Sequence, residues 1–180
     1  MKLSNQRVFV EGNKIYLKIL EKEDASQEYC NWLNDPIVNK YLETRQATIF
    51  DLEKYIEEKL RSNKCLFFGI FWKEYNKHIG NIKLEPIDFA KSCATVGIII
   101  GDRNYWGRGL ATEAIRVLVD YMFSELRLKE VNLGVIFENK PAIRVYEKCG
   151  FVKYRTDKKA LNHNGRLFDC IYMRKVNTKI

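Results

Sequence analysis

The sequence of 180 residues predicts an α/β (α+β) fold, in which a mixed central sheet of about six to seven strands is flanked by about four helices. Three observations support this prediction. Short alternating apolar segments flank tight turns, which indicates hairpins. Two segments with helical apolar spacing directly follow apolar strands, which indicates crossovers between strands. The hydrophobic content of 46% supports one well-buried core, so we expect a single domain over residues 1–180.

The first half of the chain is predicted to begin with two strands and two helices. Apolar residues alternate at 8–10 and 15–19 around Gly12-Asn13, which predicts two strands joined by a tight turn. A short helix over 24–33 should end at Asp35-Pro36, because the residue before proline avoids helical geometry. Thr48 and Asp51 form a capping-box pattern before a helical repeat of apolar residues, which predicts a second helix.

The remaining elements follow from apolar runs and their boundary residues. Residues 65–72 and 79–84 predict a hairpin, and 94–101 predicts a strand followed by a helix whose apolar face includes Ile115 and Leu118. After a strand over 131–137, a helix over 141–149 has Pro141 just inside its start and Gly150 just past its end. Asn164-Gly165 then predicts the turn of a closing hairpin.

Composition limits the function classes. The formal charge of +8 is spread along the chain with no recognisable nucleic-acid module, so we expect no nucleic-acid partner and consider a polyanionic small molecule instead. The five cysteines form no CxxC pair, which indicates reduced thiols and no zinc site. No stretch approaches ~18 uncharged apolar residues, so we expect a cytoplasmic protein without a membrane contact. The sequence does not decide the oligomeric state, and we expect a monomer or a homodimer.

The segment richest in chemistry is YWGRGLATEA, residues 105–114, between an apolar strand and an amphipathic helix. Gly107 and Gly109 would let a ligand approach the backbone, and a helix start offers unpaired N–H groups to an anion. The segment lacks the GxxxxGK[ST] and GxGxxG patterns of nucleotide sites. On these residues alone, an anion site and a simple tight turn remain equally open.

A second segment, NKPAIRVYEKCGF at 139–151, makes it possible to compare the chain with a specific family. Together the two segments resemble the GNAT superfamily, whose pyrophosphate loop follows [QR]xxGx[GA] and whose last crossover reads N-x-x-[AS]-I-x-x-Y-E-K-x-G-F. Residues 106–111 match the loop except at the first position, where Trp106 replaces Gln or Arg, and the crossover matches throughout. The resemblance covers roughly the whole chain and is strongest from Ile79 to Phe151. Within the family, the chain resembles the branch that includes ribosomal-protein N-terminal acetyltransferases and many small-molecule acetyltransferases.

The resemblance implies an N-acetyltransferase that uses acetyl-CoA as co-substrate, with no metal. It implies that the pyrophosphate is bound by backbone amides of the loop residues Trp106, Gly107, Arg108, Gly109, Leu110, Ala111 and Thr112. The pantetheine arm would lie along Ile98, Ile99 and Ile100, where a strand N–H polarises the thioester carbonyl. Asn139 would lie beside the coenzyme, and Tyr146 would protonate the departing thiolate.

The sequence does not identify the general base that would deprotonate the amine. Attack requires a neutral amine, and an alkyl ammonium titrates only near ~10.4. Many relatives carry a glutamate early in the strand before the loop, but this chain has Ala94-Thr95-Val96 there. Glu85 is our first candidate, with Asp102, Glu138 or a water relay as alternatives. The histidines, His78 and His163, lie near turns and are expected to be solvated rather than catalytic.

The acceptor is expected to bind near residues 32–45, which are similar to those of relatives that act on amino sugars, some carried on nucleotides. Trp32 and Tyr41 could stack on a base or sugar and Arg45 could pair with a phosphate, although packing is the simpler role for Trp32. We expect direct transfer to a small-molecule amine. The alternatives are a ribosomal-protein or peptide N-terminus, which an acidic groove would favour, and a non-catalytic acyl-CoA binding module.

Overall fold

The computed structural model describes residues 9–42, 46–163 and 165–178. Within these ranges the strands are β1 Phe9–Glu11, β2 Ile15–Ile19, β3 Leu66–Trp72, β4 Lys77–Asp88, β5 Cys93–Ile100, β6 Glu130–Ile136, β7 Val152–His163 and β8 Arg166–Val176. The helices are α1 Gln27–Asn34, α2 Ile49–Arg61, α3 Leu110–Ser124 and α4 Lys140–Lys148.

All eight of these strands form one mixed sheet, in the order β1-β2-β3-β4-β5-β6-β8-β7. Only β5 and β6 pair in parallel, and the other neighbours within the described ranges are antiparallel. The α/β class with a mixed sheet and flanking helices is therefore confirmed. The sheet has more strands than the expected six to seven, and the first predicted strand, at 8–10, corresponds to β1, which pairs with β2 along its length.

The helices cover both faces of the sheet. Neighbouring residues on a strand point to opposite faces, and on β3 Phe68 belongs to the core beneath α3 and α4, whereas Phe67 belongs to the core beneath α1 and α2. The two cores therefore lie on opposite sides. The face beneath α3 and α4 carries the larger set of buried apolar side chains, which includes Leu110 and Tyr146.

Local hydrogen bonds position the helix pair α1 and α2. Thr48 Oγ1 accepts from Asp51 N over 3.2 Å, and the Asp51 carboxylate accepts from Thr48 N over 2.9 Å, so the predicted capping box is confirmed. The Asn34 amide donates to Ala47 O over 2.9 Å and accepts from Ala47 N over 3.0 Å. This two-way contact fixes the start of the α2 segment against the end of α1.

The predicted closing turn and the expected absence of a membrane-spanning segment concern the last strands and the helices. Residues 163 and 166 are partners in the closing β7–β8 hairpin, but Asn164 of its predicted turn lies outside the described residues. No helix in the described ranges is long and apolar enough to cross a membrane.

Candidate active site

Strands β5 and β6 pair only at their beginnings. Their Cα partners run from Cys93 with Glu130 to Thr95 with Asn132, and the later residues of both described strands are not partnered with each other. The second half of β5 therefore has β4 on one side and an opening on the other. We call this gap between the ends of β5 and β6 the strand opening.

Two backbone N–H groups of β5 point into the strand opening. Gly101 N donates to Ile79 O on β4 over 2.9 Å, so the backbone at Gly101 faces β4. Because backbone groups point alternately to the two sides of a strand, the N–H of Ile99 also faces β4, whereas those of Ile98 and Ile100 face the opening. The side chains of Ile98 and Ile100 pack on the α3 side of the sheet and that of Ile99 packs on the α1 side.

The segment from Trp106 to Gly109, which we call the glycine loop, follows the end of β5 and leads into α3. Gly107 and Gly109 have φ angles of 74° and 78°, and a Cβ added at either would meet no atom within 4 Å. The first hydrogen bond of α3 is donated by Glu113 N to Gly109 O over 3.1 Å, so the helix does not use the N–H groups of Leu110, Ala111 and Thr112. Open space, three N–H groups and the positive end of a 15-residue helix together form a backbone site for an anion.

Two side chains of the loop have defined positions. Trp106 Nε1 donates to the carbonyl oxygen of Ile100 over 2.7 Å, although its ring remains 44% exposed. This bond ties the loop to the end of β5 at the position where the pattern has Gln or Arg. The exposed Arg108 guanidinium lies 5.2 Å from the centroid of the Tyr105 ring.

Helix α4 places the matched residues of the second motif. Asn139 Oδ1 accepts from Ala142 N over 3.3 Å, which caps the helix and leaves the Asn139 side chain half-buried. Tyr146 is buried in the same apolar core as Ile98 and Ile100, with its ring against that of Phe151 at a centroid distance of 5.8 Å. Burial raises the pKa of Tyr146 to about 12, so its phenol remains protonated at neutral pH.

A cavity of about 460 Å³ lies on the other face of the sheet, between α1, α2 and strands β3 to β5. We call it the helix-side cavity. Its walls include the aromatic residues Tyr29, Tyr41, Tyr55 and Phe67 and the polar residues Gln46, Asp51, Asn81 and Lys83. Gly97, Ile98 and Ile99 also line it, so the cavity reaches the segment of β5 that borders the strand opening.

Glu85 is held by two lysines rather than aimed into the cavity. Its carboxylate accepts from Lys59 Nζ over 2.7 Å and from Lys83 Nζ over 2.9 Å, and it is not among the cavity-lining residues. Burial alone would raise the pKa of Glu85, but these two hydrogen bonds hold it below its usual value. A carboxylate stabilised in its charged form is a weak base, so this environment does not support the prediction that Glu85 is the general base.

Lys83 is the lysine that reaches the helix-side cavity. Besides Glu85 it donates to Tyr55 OH over 2.8 Å. Burial would lower the pKa of Lys83, but the hydrogen bonds to Tyr55 and Glu85 raise it, so the cavity wall carries a fixed positive charge.

The alternative bases lie elsewhere. Burial would raise the pKa of Asp102, but Lys77 at 2.8 Å and the N–H of Asn104 hold it below the usual range. Glu138 is exposed, and its carbonyl oxygen accepts a long hydrogen bond of 3.4 Å from Tyr41 OH. Neither residue lines the helix-side cavity.

The residues predicted to bind the acceptor do not all lie in one place. Tyr41 lines the helix-side cavity, whereas Trp32 is buried and does not. A Cβ on Gly101 would lie 2.2 Å from the Trp32 indole, which shows that the ring packs directly on the backbone at Gly101. Trp32 therefore has the packing role that its position also allowed. Arg45 lies outside the described residues.

His78 does not have the solvated position that was expected. It is half-buried, with its ring stacked on Phe71 at 4.8 Å and edge-on to Trp32 at 5.1 Å. Burial lowers the pKa of His78 against the opposing hydrogen bond to Asn81, so the ring is neutral at neutral pH. The side chain of His163 lies outside the description.

Sequence reasoning missed Asn81, Lys83 and Tyr55 as cavity residues. A signal for the first two was present. Asn81 and Lys83 alternate with Ile82 and Leu84 on β4, a central strand with three strands on one side and four on the other. Polar residues on one face of a central strand that helices cover indicate a site on that face.

Comparison with known proteins agrees with this geometry. The family model for an acetyltransferase (GNAT) domain matches residues 14–152. The Uncharacterized N-acetyltransferase p20 of Bacillus licheniformis is 32% identical over 164 residues, which cover 89% of this chain and 90% of that protein.

Two solved structures are similar over most of their length. The spermidine N-acetyltransferase from Vibrio cholerae in complex with CoA and spermine has a TM-score of 0.83 and 28% identity, covering 92% of this chain and 97% of that one. The microcin C7 self immunity acetyltransferase MccE, in complex with acetyl-CoA and AMP, has a TM-score of 0.81 and 26% identity, covering 92% and 93%.

The open strand pair with an anion-binding helix start thus defines an acyltransferase that binds a coenzyme A thioester. The chain belongs to the GNAT acetyltransferase family. It is an N-acetyltransferase whose co-substrate is acetyl-CoA. The loop fits that co-substrate, because the space in front of Gly107 and Gly109 is clear and the helix-start N–H groups match a pyrophosphate.

Proposed function

We propose that the enzyme transfers the acetyl group directly to a primary amine of a small molecule, and that this acceptor is an amino sugar carried on a nucleotide. The observation that carries the proposal is the helix-side cavity, which reaches β5 at Ile98 and Ile99 beside the strand opening. Its volume of about 460 Å³ is within the range of small-molecule sites. An amine in the cavity would approach the same strand segment as the acyl group.

The hydrogen-bonding groups of the cavity favour an oxygen-rich acceptor. Lys83 contributes a positive charge that is paired with Glu85, and Asp51, the one carboxylate among the described lining residues, is held at the start of α2, where it accepts from Thr48 Oγ1 and Thr48 N. A peptide acceptor would be favoured by an acidic groove, and a polyamine would be repelled by Lys83. The similar structure in complex with acetyl-CoA and AMP adds support for a nucleotide-bearing acceptor.

The residues of this chain would act as follows. The N–H groups of Leu110 to Thr112 bind the pyrophosphate, and the N–H of Ile98 or Ile100 donates to the thioester carbonyl as negative charge develops there. Tyr146 OH donates a proton to the sulfur as the bond to the acetyl group breaks. Acetyl-CoA supplies the acetyl group and the thiol leaving group.

Direct transfer is supported by the state of Cys149, the cysteine of the second motif. The Cys149 thiol is buried at the end of α4, with Sγ 3.5 Å from Thr112 O. Burial raises the pKa of Cys149, so the thiol is not activated as a nucleophile. The acceptor amine itself is therefore proposed to attack the thioester, after losing its proton to water.

A screen of amines tests the proposal. Thiol release from acetyl-CoA is measured with a nucleotide-linked amino sugar, with spermidine and with a peptide that begins with alanine. We expect release with the amino sugar at the highest kcat/KM. A preference for the peptide or for spermidine would overturn the acceptor assignment without affecting the family assignment.

A further inference from the structure

One residue that lines the helix-side cavity has a buried donor without a partner among the residues that the structure describes. Asn81 is 3% exposed and lines the cavity, and its Nδ2 donates to none of the residues that the structure describes. A buried amide donor without a partner destabilises the fold, so its retention calls for a function.

The orientation of the Asn81 amide follows from His78. His78 Nε2 lies 3.0 Å from the carbonyl oxygen of Gly80, which can only accept, so Nε2 carries a hydrogen. The same Nε2 lies 2.8 Å from the side-chain oxygen of Asn81, which must then be the acceptor. The alternative amide orientation would place two donors against each other. Asn81 Nδ2 is therefore the amide atom that is left without a partner among the described residues.

A β-bulge brings these two residues together. On β3 the partner of Ile70 is Gly80, but the partner of Phe71 is His78, so Ile79 is an extra residue in β4. Without it, residues three apart on a strand would point to opposite faces. The bulge places His78 on the face of Asn81, where it holds the amide. Gly69 is the partner of Asn81 on β3, and its lack of a side chain provides space for the His78 ring. A Cβ at Gly69 would lie 3.1 Å from His78 Nε2.

Asn81 is next to the reacting segment. Its partner on β5 is Ile99, which lines the same cavity and lies between the two residues whose N–H groups face the strand opening. Neighbouring strands lie about 4.8 Å apart, so a group bound by Asn81 would lie one strand spacing from β5, whose other edge borders the strand opening.

We propose that Asn81 Nδ2 is a positioning and specificity-determining donor, which binds an oxygen of the acceptor beside the reacting amine. This inference rests on the proposed function. Hydroxyl and carbonyl oxygens accept such a bond, whereas the non-reacting nitrogens of a polyamine are ammonium groups with donors only. Lys83 projects into the cavity from the same face of β4, two residues further on, and reinforces the choice of oxygen over ammonium.

The kinetic test compares matched acceptors in the wild type, Asn81→Leu and Asn81→Asp. Glucosamine and cyclohexylamine present an amine on rings of the same size with and without oxygens, and spermidine represents polyamines. We expect the wild type to favour glucosamine over cyclohexylamine by about tenfold or more in kcat/KM, as for a buried donor of this kind. Asn81→Leu should reduce that ratio to near one, and Asn81→Asp should improve spermidine relative to glucosamine, while the KM for acetyl-CoA stays unchanged.

A second readout separates this inference from the proposed function. If Asn81 is kept for a ligand, Asn81→Leu removes an unpartnered buried donor, and His78 still donates to Gly80 O. The midpoint of thermal unfolding should then rise, by about 2–4 °C. A lower midpoint, or a glucosamine to cyclohexylamine ratio that Asn81→Leu leaves unchanged, would overturn the assignment of Asn81. If no amine is acetylated, the proposed function fails and the thermal midpoint alone decides the role of Asn81.

Discussion

Trp106 Nε1 donates to the carbonyl oxygen of Ile100 over 2.7 Å, which joins the first residue of the glycine loop to the last residue of β5. The carbonyl of Ile100 faces the strand opening, and the indole N–H satisfies this acceptor there. The bond also ties the loop to the end of β5, at the position where the family pattern has Gln or Arg.

The first prediction follows from this bond. Trp106→Phe keeps an aromatic ring but loses the N–H, and one such hydrogen bond contributes about 0.5–1.5 kcal/mol. We expect the dissociation constant for acetyl-CoA, measured by calorimetry, to rise by about 2–10-fold. An unchanged constant would show that the bond has no part in coenzyme binding.

The second prediction locates the pyrophosphate. Gly109 and Gly165 have φ angles of 78° and 75°, and a Cβ at either meets no atom within 4 Å. Gly109→Ala and Gly165→Ala should therefore carry the same backbone strain, about 1–2 kcal/mol, and lower the midpoint of unfolding alike. Only Gly109→Ala should weaken acetyl-CoA binding in calorimetry, because its methyl group enters the space of the phosphates. Equal affinities in the two variants would place the coenzyme elsewhere.

The third prediction concerns the proton donor. Tyr146→Phe retains the ring that packs against Phe151 and should lower kcat by about 100-fold or more, with little change in coenzyme affinity. Tyr154→Phe, on β7, removes an exposed phenol and serves as the control. Because burial raises the pKa of Tyr146 to about 12, the wild type should lose no activity through this group up to about pH 10. Wild-type turnover in Tyr146→Phe would reduce Tyr146 to a packing residue.

Much of the fold could be predicted because its signals are local. Gly109 precedes the first residue of α3, Pro141 lies in the first turn of α4, and the Thr48 capping box begins α2, all within a few residues of sequence. Alternating apolar residues at 8–10 predicted even the short strand β1, although the expected total of six to seven strands was lower than the eight that the described residues form.

The parts of the site that could not be predicted depend on residues far apart in the chain. The bulge at Ile79 is defined only against β3, so no local pattern predicted that His78 lies beside Asn81. Glu85 was the first candidate for the base because of its strand position. Its charge state depends on Lys59, which is 26 residues away on α2.

The fourth prediction separates a structural Glu85 from a catalytic one. Glu85→Gln should leave kcat within about threefold, because the carboxylate is already bound by Lys59 and Lys83. The variant should lose about 1 kcal/mol of unfolding free energy, since these ion pairs are partly screened by solvent, and the midpoint should fall by about 2–4 °C at pH 7. A kcat loss of about 100-fold would restore Glu85 as the base.

The difference in stability between the wild type and Glu85→Gln should depend on pH, and the direction of the change follows from the pKa of Glu85. The pKa of Glu85 is lower in the folded protein than in the unfolded chain, so its stabilisation is present above the unfolded value of about 4.3. It is lost as the pH falls through the folded pKa. Thermal unfolding at several pH values should therefore show the difference between the wild type and Glu85→Gln shrinking as the pH falls below about 4.3. A difference that persists there would have another origin.

The last prediction concerns the acceptor. A UDP-linked amino sugar should have a higher kcat/KM than a peptide that begins with alanine, because Lys83 lines the cavity and the net charge of +8 attracts a diphosphate. The Debye length falls from about 10 Å at 0.1 M salt to about 3 Å at 1 M, so the KM for the UDP-linked sugar should rise with salt. The free amino sugar lacks the diphosphate and is the matched control, for which salt should not raise the KM. A preference for the peptide at matched ionic strength, or a KM for the UDP-linked sugar that salt leaves unchanged, would contradict a nucleotide-linked acceptor. Because coenzyme binding and thiol release are measured in the same assays, either result would leave the acetyltransferase chemistry intact and redirect the search to another amine.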